Sequence, residues 1–575
     1  MTGIRPPVAH GPRQGSASSP ECARGLELSA KELTWCLIVV SELGVLGLLL
    51  AVVVGTLPIG GFTPESSNVF YRLYGLHEPA LFALLALFAL VALWLIGKPA
   101  LQHGLLDSSR VVKKGWLIAA VILCSAWSGN RLVMRSFPLA MDEYNAVFQS
   151  QIFAAGKTMA PIPAEWLAMA PAITPYFVTY RDDSRAWMSA YLPVYAATRA
   201  LLLRIKVASL LNPVLAALSV IVLLAVASRL WPENLATVGM SVLLLVSSSQ
   251  FLATSMTSYS MPAHLLLNLC WLLLYLRATS QRERWAWVSL PWIGVLALGL
   301  HNPFPHALFV APFLLRMVRS APRTVVGYIL AVYGMGSVAW FTWLSHSFNR
   351  AEGAGLLDSF GLPGAEQLIT QAMSLTLILS WQTPIFAIGL IIALWRVRSL
   401  PPVERDLAAG LLLTCGFYFA FKTSQGHGWG YRYVYNVLGN ATLLGASGLA
   451  IMARSIKRPK LEALVALSMM VTLTVQFPLR SFQVRAFIGP FKNAVAYLKS
   501  RDASVIVLHT AASWYGQDLV RNDPFLKTPI IVSASSRRTM PAEWAKLRAR
   551  FGDRMIVIRP EQLQPFGIAK VREVP

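Results

Sequence analysis

Two adjacent carboxylates, Asp142 and Glu143, directly follow an apolar run in a chain that is mostly apolar. Carboxylates close to a bilayer are costly unless they are paired or used. A carboxylate in this position could accept the proton of an acceptor hydroxyl as a general base. The structural alternative is that the pair starts a solvated loop or binds Arg135. We favour the catalytic interpretation because of the cost of carboxylates beside lipid.

Three further polar stretches could meet the acidic pair. They are His301–His306, Gly426–Tyr433 and the long connection 136–190. Arg binds phosphate through paired hydrogen bonds, and Arg and His can stabilise the charge of a leaving phosphate. We therefore expect these stretches to bind substrate through six residues: His301, His306, His427, Tyr431, Arg432 and Arg181.

Each of these stretches also has a structural explanation. A turn with hydrogen-bonded imidazoles accounts for His301 and His306 as well as a phosphate contact does. Gly426–Tyr433 could be a tight turn whose aromatic residues anchor a span at the membrane interface. Arg181, with Lys157 nearby, is also typical of a solvated or headgroup-binding segment.

The composition is that of a membrane protein. The chain has 575 residues, of which 55% are hydrophobic and 13% are charged, whereas soluble proteins carry about 25% charged residues. The net charge of +23 could suggest a nucleic-acid partner, but the basic residues stand in short clusters between apolar runs. That distribution follows the positive-inside rule. We therefore expect a polytopic α-helical protein in contact with the lipid bilayer and with no nucleic acid.

Apolar runs of spanning length predict about 13 transmembrane helices of about 20 residues each. Three precede the acidic pair, at roughly 33–57, 78–97 and 115–135. Ten follow, at roughly 207–230, 234–254, 261–276, 285–301, 303–318, 323–345, 367–396, 406–421, 432–453 and 461–479. A tilted or re-entrant helix is expected at about 188–206.

Basic clusters indicate the sidedness of these spans. They occur in every second loop, for example at 277–284, 316–323 and 454–460, and loops of this kind stay in the cytoplasm. The N-terminus is then cytoplasmic, and the acidic pair and the other polar stretches face the opposite side. We expect 1–30 to be a disordered cytoplasmic tail and 31–480 to be the transmembrane domain with an external loop at 136–190.

Residues 481–575 have a different pattern, with short buried strands between helices. Strand-like runs at 504–508, 529–532 and 555–558 alternate with helical patterns at 488–500 and 541–551. This order predicts a small parallel α/β domain on the extracytoplasmic side. No Gly-rich phosphate turn is present, so nucleotide binding is not predicted.

An acidic pair in the first large external loop, followed by a membrane-surface segment and many spans, resembles the GT-C superfamily of integral-membrane glycosyltransferases. The strings Asp142–Gln149 and Gly428–Tyr433 look like those of its protein O-mannosyltransferase and aminoarabinose-transferase group. The architecture is similar over roughly 115–480, and only these strings match in detail. The departure is that two extra spans precede the span that leads into Asp142, so only the acidic pair can be transferred residue by residue.

The resemblance implies an inverting glycosyltransferase that moves a hexosyl or pentosyl group from a polyprenyl-phosphate donor to an extracytoplasmic glycan, lipid or protein. Asp142 would be the catalytic base, and Glu143 would support the acceptor or the geometry of the site. The implied location is the inner (plasma) membrane of a bacterium. The nearest group manages without a metal, while other GT-C enzymes bind a divalent metal through acidic residues. We assign no metal ligand, and interpret Asp182-Asp183 as surface charge.

The alternative function is that of a polytopic transporter or lipid flippase of envelope glycan assembly. Transporters often show inverted repeats and ionisable residues at the middle of their spans. Here no repeat between the halves is evident, and the ionisable residues cluster at span ends on one face. A third hypothesis is a non-catalytic assembly protein whose external domain binds a partner.

Overall fold

The structure, a computed structural model, describes residues 27–56, 69–98, 107–181, 183–280, 283–347, 361, 364–422, 425, 428–534 and 541–570. Most of the expected tail at 1–30 lies outside the described residues, and so does His427.

Helices dominate the described chain. Those before the acidic pair are α1 Ala30–Thr56, α2 Val69–His77, α3 Pro79–Gly97, α4 Ser109–Lys113 and α5 Gly115–Leu132. Helix α6, Met141–Ala154, carries the acidic pair in its first turn. The connection after it contains two further helices, α7 Ala170–Ile173 and α8 Val194–Arg204.

The remaining helices form the bulk of the bundle. They are α9 Leu211–Leu230, α10 Leu235–Val246, α11 Ser249–Ser255, α12 Met261–Ser280, α13 Arg284–Leu298, α14 Phe304–Ser320, α15 Arg323–Ser347, α16 Ala365–Ser380, α17 Pro384–Trp395, α18 Pro402–Phe419, α19 Leu438–Ser455, α20 Arg458–Val471, α21 Phe477–Lys499 and α22 Pro541–Phe551. A 3-10 segment at Arg432–Val437 leads directly into α19.

Seven helical stretches of the described chain are long and apolar enough to cross a membrane, or up to nine if each of two bent pairs is one span. The bent pairs are α10 with α11, at 56°, and α16 with α17, at 111°. The chain is therefore a multi-pass α-helical membrane protein. The expected count of about 13 spans is not confirmed, since helices such as α13 and α14 fall short of the roughly 20 residues that a span needs.

The last expected span and the helix predicted after it are one continuous element. Helix α20, a π turn at Thr472–Gln476 and α21 together run from Arg458 to Lys499, a length of 42 residues. The expected domain boundary at 480 falls inside this helix, and the division into domains stays a prediction.

A small antiparallel sheet lies in the connection after α6. Its strands β1 Ala160–Pro161, β2 Val178–Arg181 and β3 Ala186–Ser189 pair in the order β1-β3-β2. Trp187 of β3 is fully buried and packs edge-on against Phe148 of α6, with 5.5 Å between ring centroids. The contact fixes α6 to the sheet. Because β3 takes residues 186–189, the helix expected at about 188–206 is shorter and begins at Val194.

Near the C-terminus, three short strands form a parallel sheet. They are β4 Val505–Leu508, β5 Ile530–Ser533 and β6 Met555–Ile558, in the order β5-β4-β6. Strand β4 is buried along its whole length, as its continuous apolar sequence requires of a central parallel strand. Its alternate residues face opposite sides. Ile506 and Leu508 join the main core of the bundle, while Val505 and Val507 join the core around Phe148 and Trp187.

A buried ion pair ties the N-terminal helices to the last long helix. The guanidinium of Arg480 in α21 makes two hydrogen bonds of 2.7 Å to the carboxylate of Glu78, which lies between α2 and α3. The two side chains are 1% and 3% exposed. Ser380 and Trp381 also donate to this carboxylate, at 2.6 and 3.1 Å. The ion pair and these two hydrogen bonds therefore hold α2 and α3 against α16 and α21.

Replacement of Arg480 tests the importance of this pair. Arg480→Met leaves the Glu78 carboxylate buried without its cation, which in buried pairs costs about 3–5 kcal/mol. We expect a clear fall in the thermal midpoint of the detergent-solubilised protein, measured by tryptophan fluorescence. The control is Arg110→Met, because the Arg110 side chain is 81% exposed in its pair with Asp107. An Arg480→Met midpoint equal to that of the control would contradict the account.

Candidate functional site

A cavity of about 680 Å³ brings together several of the polar stretches that the sequence singled out. It lies between the first turn of α6, the start of α8, the start of α12, the loop between α13 and α14, and the segment before α19. Polar side chains on its walls include Asp142, Tyr191, Tyr259, His264, His301, Arg432, Tyr433 and Asn436.

Asp142 has both carboxylate oxygens engaged. Arg432 Nη1 donates to Oδ2 at 2.7 Å, and the Tyr191 hydroxyl donates to Oδ1. The Arg432 and Asp142 side chains are 10% and 16% exposed. Burial raises the pKa of Asp142, but the guanidinium of Arg432, His301 and the Tyr191 hydroxyl together outweigh burial and hold that pKa below its usual value. The side chain is therefore an oriented anion at the cavity wall.

Backbone pairing sets Tyr191 beside His301. The amides of Leu192 and Val194 donate to the carbonyl oxygens of His301 and Gly299, at 3.1 and 2.9 Å. The Tyr191 and His301 rings lie 3.9 Å apart between centroids. This pairing joins the segment before α8 to the loop between α13 and α14, so two distant parts of the chain form one wall.

His301 has a defined protonation pattern in its neutral form. The side-chain amide nitrogen of Asn302 lies 2.8 Å from Nδ1 of His301. Because that amide nitrogen can only donate, Nδ1 accepts and the proton of the neutral ring is on Nε2. His301 can therefore donate a hydrogen bond from Nε2.

Gly430 and two glutamines position Arg432. The backbone amide of Arg432 donates to Gln425 Oε1 at 2.8 Å, and Gln425 Nε2 donates to the carbonyl of Gly430 at 2.9 Å. Gln250 Nε2 donates to the carbonyl of Tyr431 at 2.8 Å. Gly430 has φ of +73°, and a Cβ there would lie 2.6 Å from the Gln250 side chain. The turn therefore requires glycine at this position.

The guanidinium of Arg432 keeps unused donor capacity. It lies over the ring of Tyr259, with Cζ 5.0 Å from the centroid. Its Nε is buried and has no hydrogen-bond partner among the described residues. Arg432 lines the cavity, so an anion there could accept a hydrogen bond from its guanidinium in place of Asp142.

Glu143 holds the start of α6. Its carboxylate accepts hydrogen bonds from the backbone amides of Ala140, at 3.2 Å, and Ser258, at 2.8 Å. Its side chain is 3% exposed and is not among the residues that line the cavity. Burial raises the pKa of Glu143 to about 7. The contacts join α6 to the turn before α12, which favours the geometric role over contact with an acceptor.

The segment after β4 reaches the same site. Arg521 is 6% exposed and donates from Nη1 and Nη2 to the carbonyl oxygens of Pro138 and Leu139, just before α6. Tyr515 and Asp518 of this segment line the cavity. The C-terminal part of the chain therefore forms part of the cavity wall. It also fixes the backbone that leads into the acidic pair.

Two of the predicted binding residues lie behind the wall. His306 is fully buried, with its ring nitrogens 2.8 Å from Asn268 Oδ1 and 2.8 Å from the Tyr333 hydroxyl. Tyr431 is 1% exposed, and neither residue is among those that line the cavity. Their role in binding stays a prediction.

Arg181 lies away from the cavity. It forms a salt bridge with Asp183 at the end of β2 and donates to the carbonyl of His346 at 2.8 Å. The structure thus brings together Asp142, His301 and Arg432 of the predicted residues and does not bring Arg181 to them.

Several residues at the site were not predicted, and three of them show which signals the sequence carries. Tyr191 and Arg521 reach it through tertiary pairing, for which the local sequence carries no pattern. His264 is the one histidine in the apolar run of α12. A residue of that kind inside a span is a signal of function in its own right.

The site places a group that can accept a proton next to groups that can bind an anion. The carboxylate of Asp142 can accept a proton, while Arg432 and His301 can donate hydrogen bonds to negatively charged oxygens. Within the part of the chain that the structure describes, no group of three or more His, Cys, Asp and Glu side chains could hold a metal ion. The arrangement suits the transfer of a group from a phosphate to a hydroxyl.

No protein-family model and no curated protein matches the chain. Among solved structures, it is similar to integral-membrane transferases of the aminoarabinose-transferase group. The chain matches ArnT from Cupriavidus metallidurans bound to undecaprenyl phosphate with a TM-score of 0.47 and 12% identity, over 79% of this chain and 91% of that chain. The apo structure of the same protein matches with a TM-score of 0.47 and 11% identity, over 77% and 89%. Both structures belong to the group that the sequence resembles. At these identities and TM-scores the match is a likeness and establishes neither the activity nor the donor of this chain.

The raised pKa of Glu143 predicts a pH dependence of stability. The unfolded side chain titrates near 4.5 and the folded one at about 7. The folded chain therefore binds this proton more tightly, so the contribution is complete below the unfolded pKa and is lost as the pH rises to about 7. The loss across this window is about 3 kcal/mol.

Glu143→Gln should remove this dependence, because an amide does not titrate. The measurement is the thermal midpoint between pH 4 and 8, compared with wild type and with Glu165→Gln, whose carboxylate is part of an exposed pair with Arg550. If the difference in thermal midpoint between wild type and Glu143→Gln stays constant with pH, Glu143 does not titrate in this window as a buried carboxyl.

Proposed function

We propose that the chain is an inverting glycosyltransferase that moves a sugar from a polyprenyl-phosphate donor to a hydroxyl of an extracytoplasmic glycan, lipid or protein. The observation that carries the proposal is the Asp142–Arg432 ion pair at 2.7 Å in the wall of the cavity. A base and a phosphate-binding cation are the two groups that this reaction needs next to each other. The resemblance of the strings around Asp142 and Arg432 to GT-C enzymes supplies the donor class.

In the proposed reaction, Asp142 accepts the proton of the acceptor hydroxyl. The hydroxyl oxygen attacks the anomeric carbon from the side opposite the phosphate, and the bond from that carbon to the phosphate oxygen breaks. The electron pair leaves with the polyprenyl phosphate, and the configuration at the anomeric carbon is inverted. Arg432 and Nε2 of His301 donate hydrogen bonds to the departing phosphate, which lowers the barrier by stabilising the developing charge.

The ion pair links donor binding to the strength of the base. A donor phosphate in the cavity competes with Asp142 for the guanidinium of Arg432, which lines the cavity. As Arg432 turns towards the phosphate, Asp142 loses its closest cation. Loss of a neighbouring cation raises the pKa of a carboxylate, so Asp142 becomes the stronger base once the donor is bound.

We also propose that the cavity opens on the extracytoplasmic side of a bacterial inner membrane, with the N-terminus in the cytoplasm. Helix α12 and the Arg432–Ser455 stretch, both candidate spans, begin at the cavity. Both have Arg in their last turn, at Arg277 and Arg454. Basic residues favour the cytoplasmic end of a span, which supports the opposite side for the cavity.

Transfer activity tests the proposal through Asp142→Asn, which keeps the shape of the side chain and removes the base. Proteoliposomes receive radiolabelled polyprenyl-phosphate sugars and a membrane-glycan extract. We expect label to reach the acceptor with wild type and to fall at least about 100-fold with Asp142→Asn, the usual contribution of a general base. The matched control is Asp183→Asn, since Asp183 lies in a surface pair with 63% of its side chain exposed.

Two outcomes would contradict the proposal. Equal transfer by wild type and Asp142→Asn would show that Asp142 is not the base. Absence of transfer by wild type, with polyprenyl lipid appearing in the opposite leaflet, would show a flippase instead.

A further inference from the structure

His264 is a buried polar side chain at the cavity. It lies in the first turn of α12, is 3% exposed and lines the cavity wall. Neither of its ring nitrogens has a hydrogen-bond partner among the described residues. A buried polar group without a partner is costly, and native structures seldom keep one without a reason. His264 therefore lacks the hydrogen-bond partner that a buried imidazole needs among the residues that the structure describes.

Asn436 also lines the cavity and has a buried atom without a partner among the described residues. Its Nδ2 donates to the carbonyl of Pro305 at 2.7 Å, which fixes the orientation of the amide. Its Oδ1 is buried and has no partner among the described residues. Asn268, one helical turn after His264, donates to the carbonyl of Asn436 at 3.0 Å. This contact ties the helix of His264 to the segment of Asn436.

The chemistry of these atoms selects their ligand. A neutral imidazole offers one donor and one acceptor, and the amide oxygen offers an acceptor. Hydroxyl groups, which donate and accept, match this set. A phosphate brings only acceptors near neutral pH, so it would leave the amide oxygen and one imidazole nitrogen unpaired. The cavity thus has a charged part at Asp142 and Arg432 and an uncharged polar part at His264 and Asn436.

We propose that His264 and Asn436 bind hydroxyl groups of a sugar ring in the cavity. This inference rests on the proposed function and adds to it the part of the cavity that recognises sugar. The ring belongs either to the donor or to the acceptor. If the ring belongs to the donor, His264 and Asn436 contact the lipid-linked sugar. If it belongs to the acceptor, they contact the acceptor and leave donor binding unaffected.

The test uses His264→Phe, which keeps a ring and removes both nitrogens. Because neither nitrogen is paired, the variant should be at least as stable as wild type in thermal unfolding. The matched control is His346→Phe, because the His346 side chain is exposed and hydrogen-bonds the carbonyl of Thr342 in its own helix. The probes are polyprenyl phosphate with and without one neutral hexose or pentose, measured by equilibrium binding in nanodiscs.

If the donor supplies the hydroxyls, His264→Phe raises the Kd for glycosylated carrier about tenfold, as loss of one or two hydrogen bonds implies. The Kd for bare polyprenyl phosphate stays the same. If the acceptor supplies them, donor binding is unchanged and the KM for acceptor rises instead. Equal Kd and KM in wild type and His264→Phe, or equal weakening for bare and glycosylated carrier, would overturn the inference. A wild type that binds glycosylated carrier more tightly than bare carrier but transfers no sugar would refute the proposed function and leave this inference standing.

Discussion

The Asp142–Arg432 ion pair is the contact on which the rest of the site depends. Its two members are 290 positions apart in the chain and meet at 2.7 Å. Both are largely withdrawn from water, and desolvation of a buried pair can exceed the attraction between its charges. Such a pair is weak evidence for stability. We infer that the neighbouring contacts hold it in place for chemistry.

Those contacts come from separate elements and constrain each member of the pair. On the carboxylate side, Glu143 caps α6, and the Tyr191 hydroxyl donates to Asp142. On the guanidinium side, Gly430 allows the turn that Gln425 and Gln250 fix by hydrogen bonds. The C-terminal segment adds Arg521, which binds the carbonyls just before α6. Strand β4 shares its two faces between two cores, so this segment is packed into the fold that carries the site.

Part of this arrangement could be predicted from sequence. The cost of carboxylates near lipid marked Asp142, and the polar stretches between apolar runs marked Arg432 and His301. The parallel strands near the C-terminus were visible as short apolar runs. The number of spans could not be predicted, because helices such as α13 and α14 are shorter than a full span and apolarity alone does not reveal their length. Strands β1 to β3 have two to four residues each, which is too short for an alternating pattern to stand out.

The contacts that complete the site depend on tertiary structure. Tyr191 reaches Asp142 because backbone bonds join its segment to the loop of His301. Arg521 reaches the start of α6 from the far end of the chain, and no local sequence pattern predicts that contact. His264 is the exception, since a lone histidine in an apolar run is itself a signal. The residues that position a reacting group are thus harder to find in a sequence than the reacting group.

In the proposed reaction, a donor phosphate replaces Asp142 as the partner of Arg432. The most direct test is the equilibrium binding of polyprenyl-phosphate sugar to Asp142→Asn, in a wild-type and in an Arg432→Gln background. Asparagine carries no charge to compete for the guanidinium, so the account predicts that Asp142→Asn binds the donor several-fold more tightly than wild type while Arg432 is present. The gain should disappear in the Arg432→Gln background. Unchanged or weaker donor binding by Asp142→Asn would contradict the exchange.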